Sequence, residues 1–199
     1  MDEKYHIHPF PPLAPLLRAE IRCLRTLGQL SKAGVQVRYL MRERILSWGD
    51  DFTIKDEEGR EAFYVDGKVF SFGDKLSFKD RDGKEVALID QKLLSIGPQY
   101  EIIRGGKTVA VVKKHLFTLL RARFTVDVPG PDDLEARGNF LDHEYTFERA
   151  GRDVARVSKK WLSLSDTYAV DINDGEDDVL ILASAVVIDL VSHPDQKND

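Results

Sequence analysis

The chain has 199 residues, of which 42% are hydrophobic and 32% charged, and its net charge at neutral pH is −5. A single cysteine excludes an intrachain disulfide framework, and the acidic balance predicts no nucleic-acid partner, because such partners normally require a basic surface. No apolar run reaches the roughly 20 residues of a membrane-spanning helix, and the first residues lack the pattern of a secretory signal. We therefore expect a cytoplasmic protein with one sizeable domain or two small ones.

Residues 1–36 form an N-terminal extension that allows three interpretations. The stretch PLLRAEIRCLRTLGQLSKAG can be drawn as a short amphipathic helix, which would suit a membrane surface or a partner protein. The extension can equally be disordered. The third interpretation is that translation starts at Val37, since a GTG codon can serve as a start codon. The pair His6 and His8 is interpreted as part of a disordered tail, and no metal site is predicted there.

The chain from about Ile45 to Ile172 repeats one pattern. ILSWGDDFTI, VFSFGDKLSF, LLSIGPQYEI and WLSLSDTYAV each carry a large apolar residue five positions after a serine. Large apolar residues recur at intervals of 21 to 24 positions: Phe52, Leu76, Tyr100, Phe124, Tyr145 and Tyr168. A fixed period of this kind indicates one supersecondary unit that is used several times.

Each repeat predicts a β-hairpin. Segments such as DFTIKDEEG and EYTFERAG alternate apolar and polar residues before a glycine, which is typical of half-buried strands. Asp82-Gly83 and Gly105-Gly106 suit the tight turns of hairpins. Two strands per period over about six periods predict a mainly β fold of about twelve strands, and closure into a barrel would remove the exposed edges. The interior of such a barrel is wide and must be filled.

The stretch GEDDVLILASAVVIDLVSH, Gly175–His193, predicts a buried helix that fills the barrel. Its apolar run Val179–Ile188 would span about 15 Å as a helix, too short for a bilayer, and the whole stretch is long for a strand. Asp174 is the predicted N-cap, with further acids in the first turn. We expect a helix over about 175–192 and a disordered tail over 194–199.

Asp189 interrupts this apolar helix and leaves two interpretations open. The first places its carboxylate near the helix end, either hydrated at the barrel mouth or bonded to a backbone donor. The second is a buried carboxylate with a raised pKa and a role in a site.

Several motifs between Val37 and the C-terminus resemble the LURP-one-related family: RYLM, DDFTIKDEEG, QKLLSIGPQYEI and GNFLDHEYTFERAGR. For residues 37–193 the resemblance implies the tubby C-terminal-like fold, which phospholipid scramblases share. This fold is a twelve-stranded antiparallel closed barrel of repeated hairpins around a central hydrophobic C-terminal helix. Tubby-like relatives bind phosphoinositide head groups, and scramblases act on membrane lipids. The family supplies no catalytic residues, and a shared fold does not fix an activity.

The remaining polar motifs predict no catalytic residue, cofactor or metal. Asp142, His143 and Glu144 are adjacent, and neighbouring residues of a strand point to opposite faces, so we interpret them as a solvated turn. DINDGEDD would place Glu176 where a calcium loop of the EF-hand type requires glycine. Helix capping therefore explains these acids better.

Basic residues in or beside the predicted strands are candidates for a surface that binds acidic lipid head groups. The alternative is an ordinary solvated outer face of the barrel. The six candidates are Lys113, Lys114, Arg121, Arg123, Lys159 and Lys160.

The leading functional hypothesis is a non-catalytic barrel that binds anionic phospholipid or another ligand, peripherally at the membrane. The alternative is a structural or interaction protein whose barrel is filled by its own helix and which acts through surface contacts with proteins. An enzyme ranks third, because no catalytic constellation is visible. The sequence does not predict an oligomeric state.

Overall fold

The computed structural model describes residues 36–46, 49–67, 75–115, 123–159 and 167–193. The chain divides into two compact units, Met1–Val35 and Gln36–Asp199, and every described residue belongs to the second. The interpretations of the N-terminal extension, including its two histidines, therefore lie outside the described residues. So does the predicted C-terminal tail.

The second unit is a closed barrel of twelve antiparallel strands, in which consecutive strands pair and the last strand pairs with the first. The strands are β1 Gln36–Leu46, β2 Gly49–Lys55, β3 Glu61–Gly67, β4 Lys75–Asp80, β5 Glu85–Gln91, β6 Gln99–Arg104, β7 Lys107–His115, β8 Arg123–Asp127, β9 Leu134–Asn139, β10 Glu144–Arg149, β11 Arg152–Ser158 and β12 Thr167–Asn173. Closure leaves no free edge along which another chain could pair.

Inward-facing residues of the strands follow the period found in the sequence. The six large residues that mark the repeat are all buried: Phe52, Leu76, Tyr100, Phe124, Tyr145 and Tyr168. Because side chains alternate between the two faces of a strand, their neighbours point to the outer surface. A large inward-facing residue at the same place in each repeat therefore explains the sequence period.

One helix, α1 Asp178–Ser192, is present among the described residues and occupies the barrel interior. Its residues from Leu180 to Leu190 are buried without interruption, as expected of a helix that is apolar on all sides. Each large aliphatic side chain contributes about 1.5–3 kcal/mol on burial. The predicted closed barrel around a central C-terminal helix is confirmed. Within the described ranges, no helix has both the length and the apolarity to cross a membrane.

The start of α1 differs from the prediction in its capping residue. Asp177 is the N-cap, and its carboxylate accepts a hydrogen bond of 3.1 Å from Leu180 N. Arg104 donates two further hydrogen bonds to the same carboxylate, at 2.6 and 2.7 Å. The expected cap, Asp174, lies too early, because the chain first turns at Gly175, whose φ is +85°. An acidic residue therefore caps the helix, as expected, but this residue is Asp177 and not Asp174.

The direction of α1 distinguishes the two ends of the barrel. The helix-start mouth is the end where β12 finishes at Asn173 and α1 begins at Asp178. The helix-end mouth is the opposite end, where α1 finishes at Ser192. Because strand directions alternate, the β5–β6 and β9–β10 connections, residues 92–98 and 140–143, both lie at the helix-end mouth.

Replacing Gly138 with alanine is expected to destabilise the helix-end mouth. Gly138 has a φ of +147°, and an added Cβ would lie 2.4 Å from Glu144 O and 2.6 Å from Tyr145 Cα on the paired strand. We expect Gly138→Ala to lower the free energy of unfolding by about 1–3 kcal/mol, measured by urea titration. Gly151→Ala is the control, because that glycine also has a positive φ but no atom within 4 Å of the added Cβ. Equal losses in the two variants would contradict a role for the close strand contact.

Candidate functional site

Three titratable side chains meet at the helix-end mouth, and we call them the His–Asp–His cluster: His143, Asp189 and His193. His143 ends the β9–β10 turn, Asp189 lies in the last turns of α1, and His193 is the C-cap of that helix. Asp189 and His193 are four positions apart, so they lie on the same face of the helix. The barrel brings the turn to the helix end, although 46 positions separate His143 from Asp189.

Both imidazoles contact the same carboxylate oxygen. His143 Nε2 lies 2.5 Å from Asp189 Oδ1, and His193 Nδ1 lies 3.1 Å from that atom. The two imidazole rings stack, with centroids 4.7 Å apart and planes 6° from parallel. The ring of Tyr168 covers the other face of His143, at a centroid distance of 4.4 Å. The cluster is therefore packed as well as hydrogen-bonded.

The backbone of the β9–β10 turn directs His143 into the barrel. His143 has a φ of 53°, which non-glycine residues adopt infrequently, and its N–H donates to Phe140 O at 3.2 Å. The expectation of a solvated turn is wrong for this residue, whose side chain is buried. Its neighbours bond elsewhere, Asp142 with Asn139 and Glu144 with Ser158. The three adjacent polar residues thus do not converge, as the alternation argument predicted.

Asp189 is buried, but it is ionised more easily than usual. Burial by itself raises the pKa of this carboxyl, while the hydrogen bonds and charges of His143 and His193 lower it by more. The net result is a pKa below the ordinary range. The first interpretation is correct that Asp189 lies near the helix end and wrong that it is hydrated. The second is correct that the carboxylate is buried and wrong that its pKa is raised, and its role in a site stays a prediction. The two histidines were not recognised as partners of this carboxylate.

His193 is held in a defined orientation by three contacts at the helix end. Its hydrogen bond to Asp189 raises its pKa to about 9, against the opposing effect of burial. Its backbone N–H donates to Asp189 O at 2.9 Å. Its Nε2 lies 3.2 Å from Leu141 O, and because a carbonyl oxygen only accepts, Nε2 must carry a proton. This contact ties the β9–β10 turn to the end of α1.

Two polar atoms beside the cluster lack hydrogen-bond partners among the described residues. They are His143 Nδ1 and the hydroxyl of Tyr145, and both are buried. Burial and the charge of Asp189 raise the pKa of Tyr145, so this hydroxyl stays protonated. Buried polar groups are normally satisfied, so the surroundings of the cluster have unused hydrogen-bonding capacity.

Four exposed apolar side chains lie at the same mouth, and we call them the apolar rim: Leu93, Leu94, Ile96 and Leu141. Leu94 is 104% and Ile96 95% exposed. Within the described ranges, five large hydrophobic side chains are exposed, and only Val37 lies at the helix-start mouth. Among the residues whose burial is described, the exposed large apolar side chains are therefore concentrated at one end of the barrel.

Local hydrogen bonds hold the β5–β6 loop, which carries most of the apolar rim. Ser95 Oγ lies 2.9 Å from Lys92 O and 2.8 Å from Gly97 O, inside the loop. The backbone N–H of Lys92 donates to Gln99 O at 2.8 Å and closes the loop at its base. With Ser95 turned inward, Leu94 and Ile96 on either side of it project outward.

The predicted basic residues are distributed over both faces of the barrel wall. Lys113 forms an ion pair with Asp127, whereas Lys114 Nζ lies 3.5 Å from Val191 O at the end of α1. These consecutive residues therefore point to opposite faces, as neighbours in a strand must. Lys114 also lies over the ring of Phe124, 5.9 Å from its centroid.

The other four predicted basic residues are described only in part. Arg123 forms an ion pair with Glu135. Lys159 follows the end of β11 at the helix-end mouth, and its backbone N–H donates to a Glu144 carboxylate oxygen at 3.1 Å. Arg121 and Lys160 lie outside the described residues. A common lipid-binding surface formed by all six residues stays a prediction.

A cavity of about 410 Å³ opens at the helix-start mouth between the first strands and their hairpins. Two of its arginines are already engaged by carboxylates. Arg60 donates to Asp56 and Glu58, each at 2.8 Å, and Arg38 forms an ion pair with Asp171 at 2.6 Å. The helix-end mouth, with its His–Asp–His cluster and exposed apolar side chains, is the stronger candidate for a functional site.

The closed twelve-stranded barrel around its own C-terminal helix places the chain in the class of helix-filled antiparallel β-barrels. Residues 37–189 match the LURP-one-related family, and the chain belongs to this family. It is 36% identical over 160 residues to the uncharacterised protein YxjI of Bacillus subtilis (strain 168), covering 80% of this chain and 96% of that protein. An X-ray structure of a protein from Arabidopsis thaliana has the same fold. The TM-score is 0.57 at 20% identity, and the match covers 79% of this chain and 91% of the plant protein.

Proposed function

We propose that this protein is a non-catalytic barrel that binds the surface of anionic phospholipid membranes through its helix-end mouth. The observation that carries the proposal is the apolar rim. Isolated exposed apolar residues are normal on protein surfaces, but a group confined to one end suggests an interaction site.

The energetics of the apolar rim suit shallow insertion into a membrane interface. Burial of a leucine or isoleucine side chain contributes about 1.5–3 kcal/mol, and Leu94 and Ile96 are both essentially fully exposed. The shape of their loop is already fixed by the Ser95 contacts, so little conformational entropy is lost on insertion.

Charge at the same mouth favours anionic over neutral lipids. Lys114 and Lys159 both lie at this end of the barrel, and cations near an anionic surface contribute about 1 kcal/mol each. Because the whole chain is acidic, we expect the attraction to be local and to weaken as salt screens it. The filled interior supports binding through the outer surface of the mouth and not inside the barrel.

Flotation with lipid vesicles tests this proposal. Wild-type protein at low salt should float with phosphatidylcholine vesicles that contain phosphatidylserine or phosphoinositide, and should float less with pure phosphatidylcholine. The double variant Leu94→Ser/Ile96→Ser should bind the anionic vesicles about tenfold or more weakly, because two apolar side chains no longer enter the interface.

Val37→Ser provides the matched control, because Val37 is an exposed apolar residue at the opposite mouth. It should leave vesicle binding unchanged. Equal binding by wild type and the Leu94→Ser/Ile96→Ser variant would contradict a role for the apolar rim. Absence of wild-type binding to every vesicle at low salt would overturn the lipid proposal.

The second candidate function is a protein-interaction module. It is favoured by the continuous burial of α1, which fills the barrel and leaves the outer surface for contacts. An apolar rim that takes up no lipid would then serve as a protein-binding surface.

A further inference from the structure

We propose that the His–Asp–His cluster is a binding site for a divalent transition-metal ion such as Zn²⁺, with His143 Nε2, a carboxylate oxygen of Asp189 and His193 Nδ1 as the three protein ligands. Two imidazoles and one carboxylate are a ligand set that zinc accepts, with the fourth position left for water or another ligand.

The separations of these ligand atoms are close to those of a tetrahedral site. All three atoms lie within 4.8 Å of one another. Zinc bonds of about 2.0–2.1 Å place two tetrahedral ligands about 3.3 Å apart. The His193 Nδ1 to Asp189 Oδ1 distance of 3.1 Å is already close to this value, and the 2.5 Å contact of His143 must open slightly. The stacked rings must also turn so that both nitrogens face the ion.

The second ring nitrogen of His193 has the contact that metal-bound histidines typically make. Such a histidine normally donates its other N–H to a carboxylate or backbone carbonyl, which fixes the ring and its tautomer. In this structure His193 Nε2 donates to Leu141 O at 3.2 Å. Nδ1 then becomes the ligand atom once zinc displaces its proton.

The position of the cluster combines preorganisation with access. Asp189 is held on the buried helix, and the ring of Tyr168 packs against His143. The side chains of His143 and His193 keep 11% and 15% of their surface exposed, so an ion can enter from the helix-end mouth. The buried Tyr145 hydroxyl and His143 Nδ1 are available to hydrogen-bond water near the site.

Bound zinc would clamp the β9–β10 turn to the end of α1. The clamp replaces hydrogen bonds with coordinate bonds between two parts of the chain that are distant in sequence. Because only the folded chain brings the three ligands together, binding stabilises the native state by mass action. The inference does not depend on lipid binding.

Titration of metal-free, full-length protein with Zn²⁺ tests the proposal. Isothermal calorimetry should show one ion bound at the cluster, and the melting temperature should rise by about 5 °C or more at a hundredfold excess over Kd. Substitution of Co²⁺ should give the visible absorption of a tetrahedral site. Either His143→Gln or His193→Gln should weaken Zn²⁺ binding at least about tenfold, as loss of one ligand does.

Two control variants separate this site from other histidines of the chain. His115→Gln changes an exposed histidine near Thr125, and His6→Ala/His8→Ala removes the N-terminal pair. Both should bind Zn²⁺ as wild type does. Circular dichroism and urea unfolding in the presence of EDTA establish that each variant is folded.

The proposal is overturned if wild-type protein takes up no Zn²⁺. It is equally overturned if folded His143→Gln/His193→Gln protein binds the ion with wild-type affinity. Vesicle flotation in EDTA should give the same result as flotation without it, so failure of the metal site and failure of lipid binding can be told apart.

Discussion

Asp189→Asn is expected to lower the free energy of unfolding by about 3–5 kcal/mol below pH 6.5, because it removes one partner of a buried ion pair. Asparagine has nearly the same shape as aspartate, so the loss reflects the charge of the carboxylate and the hydrogen bonds it accepts, and not a cavity. Without the carboxylate, the protonated imidazole of His193 is left at the barrel mouth without its counter-ion. Urea titration in the presence of EDTA measures the effect without bound metal.

The loss of unfolding free energy caused by Asp189→Asn should depend on pH. The pKa of His193 determines whether this loss grows or shrinks as the pH rises. Its pKa is about 9 in the folded chain against 6.5 for an ordinary histidine. The stabilisation it gains is therefore complete below pH 6.5 and is lost as pH rises through about 9. Because water screens part of this interaction at the mouth, we expect wild type to lose about 1–2 kcal/mol over that range.

Asp189→Asn should lack this loss, so the difference between variant and wild type should narrow as the pH rises. The lowered pKa of Asp189 matters at low pH. The stabilisation that the ionised carboxylate contributes is lost only under strongly acidic conditions. Asp171→Asn is the matched control, because Asp171 pairs with the exposed Arg38 on the barrel surface. It should cost less than about 1 kcal/mol. A similar cost for both variants at every pH would contradict a buried ion pair.

The barrel could be predicted from the sequence because a single physical pattern repeats in it. Each hairpin must place a large apolar residue inward, so residues such as Phe52 and Leu76 recur at a nearly constant spacing. The central helix was predictable for a related reason, since an apolar segment too short for a membrane needs an interior. The capping residue could be predicted less precisely, because several nearby acidic residues allow more than one starting position for the helix.

The His–Asp–His cluster could not be predicted, because it depends on which turn lies at which end of the barrel. Asp189 and His193 do carry a local signal, the four-residue spacing that places them on one helix face. Nothing local predicts His143 as their partner. Its inward direction results from a positive φ in the turn, and its position results from strand directions that only the closed barrel fixes.

The apolar rim could not be recognised in the sequence because its residues belong to a regular pattern. Leu94 and Ile96 lie within LLSIGPQYEI, one of the repeats that predicted the barrel, so they were counted as part of its regular pattern. In the structure the first part of this segment, residues 93–98, forms the loop before β6, and both side chains are exposed to solvent. A periodic pattern identifies the strands but does not determine which apolar residues just outside them are buried.

Shortening one buried side chain of α1 should show how much the stability of the barrel depends on its own helix. Leu182 is fully buried, so Leu182→Ala removes apolar contacts and leaves a cavity between helix and wall. We expect the free energy of unfolding to fall by about 3–5 kcal/mol, measured by urea titration. Leu94→Ala makes the same chemical change at an exposed site and should cost less than about 0.5 kcal/mol. Equal costs would mean that α1 is not part of the core, and the proposal of a filled barrel acting through its surface would fall with it.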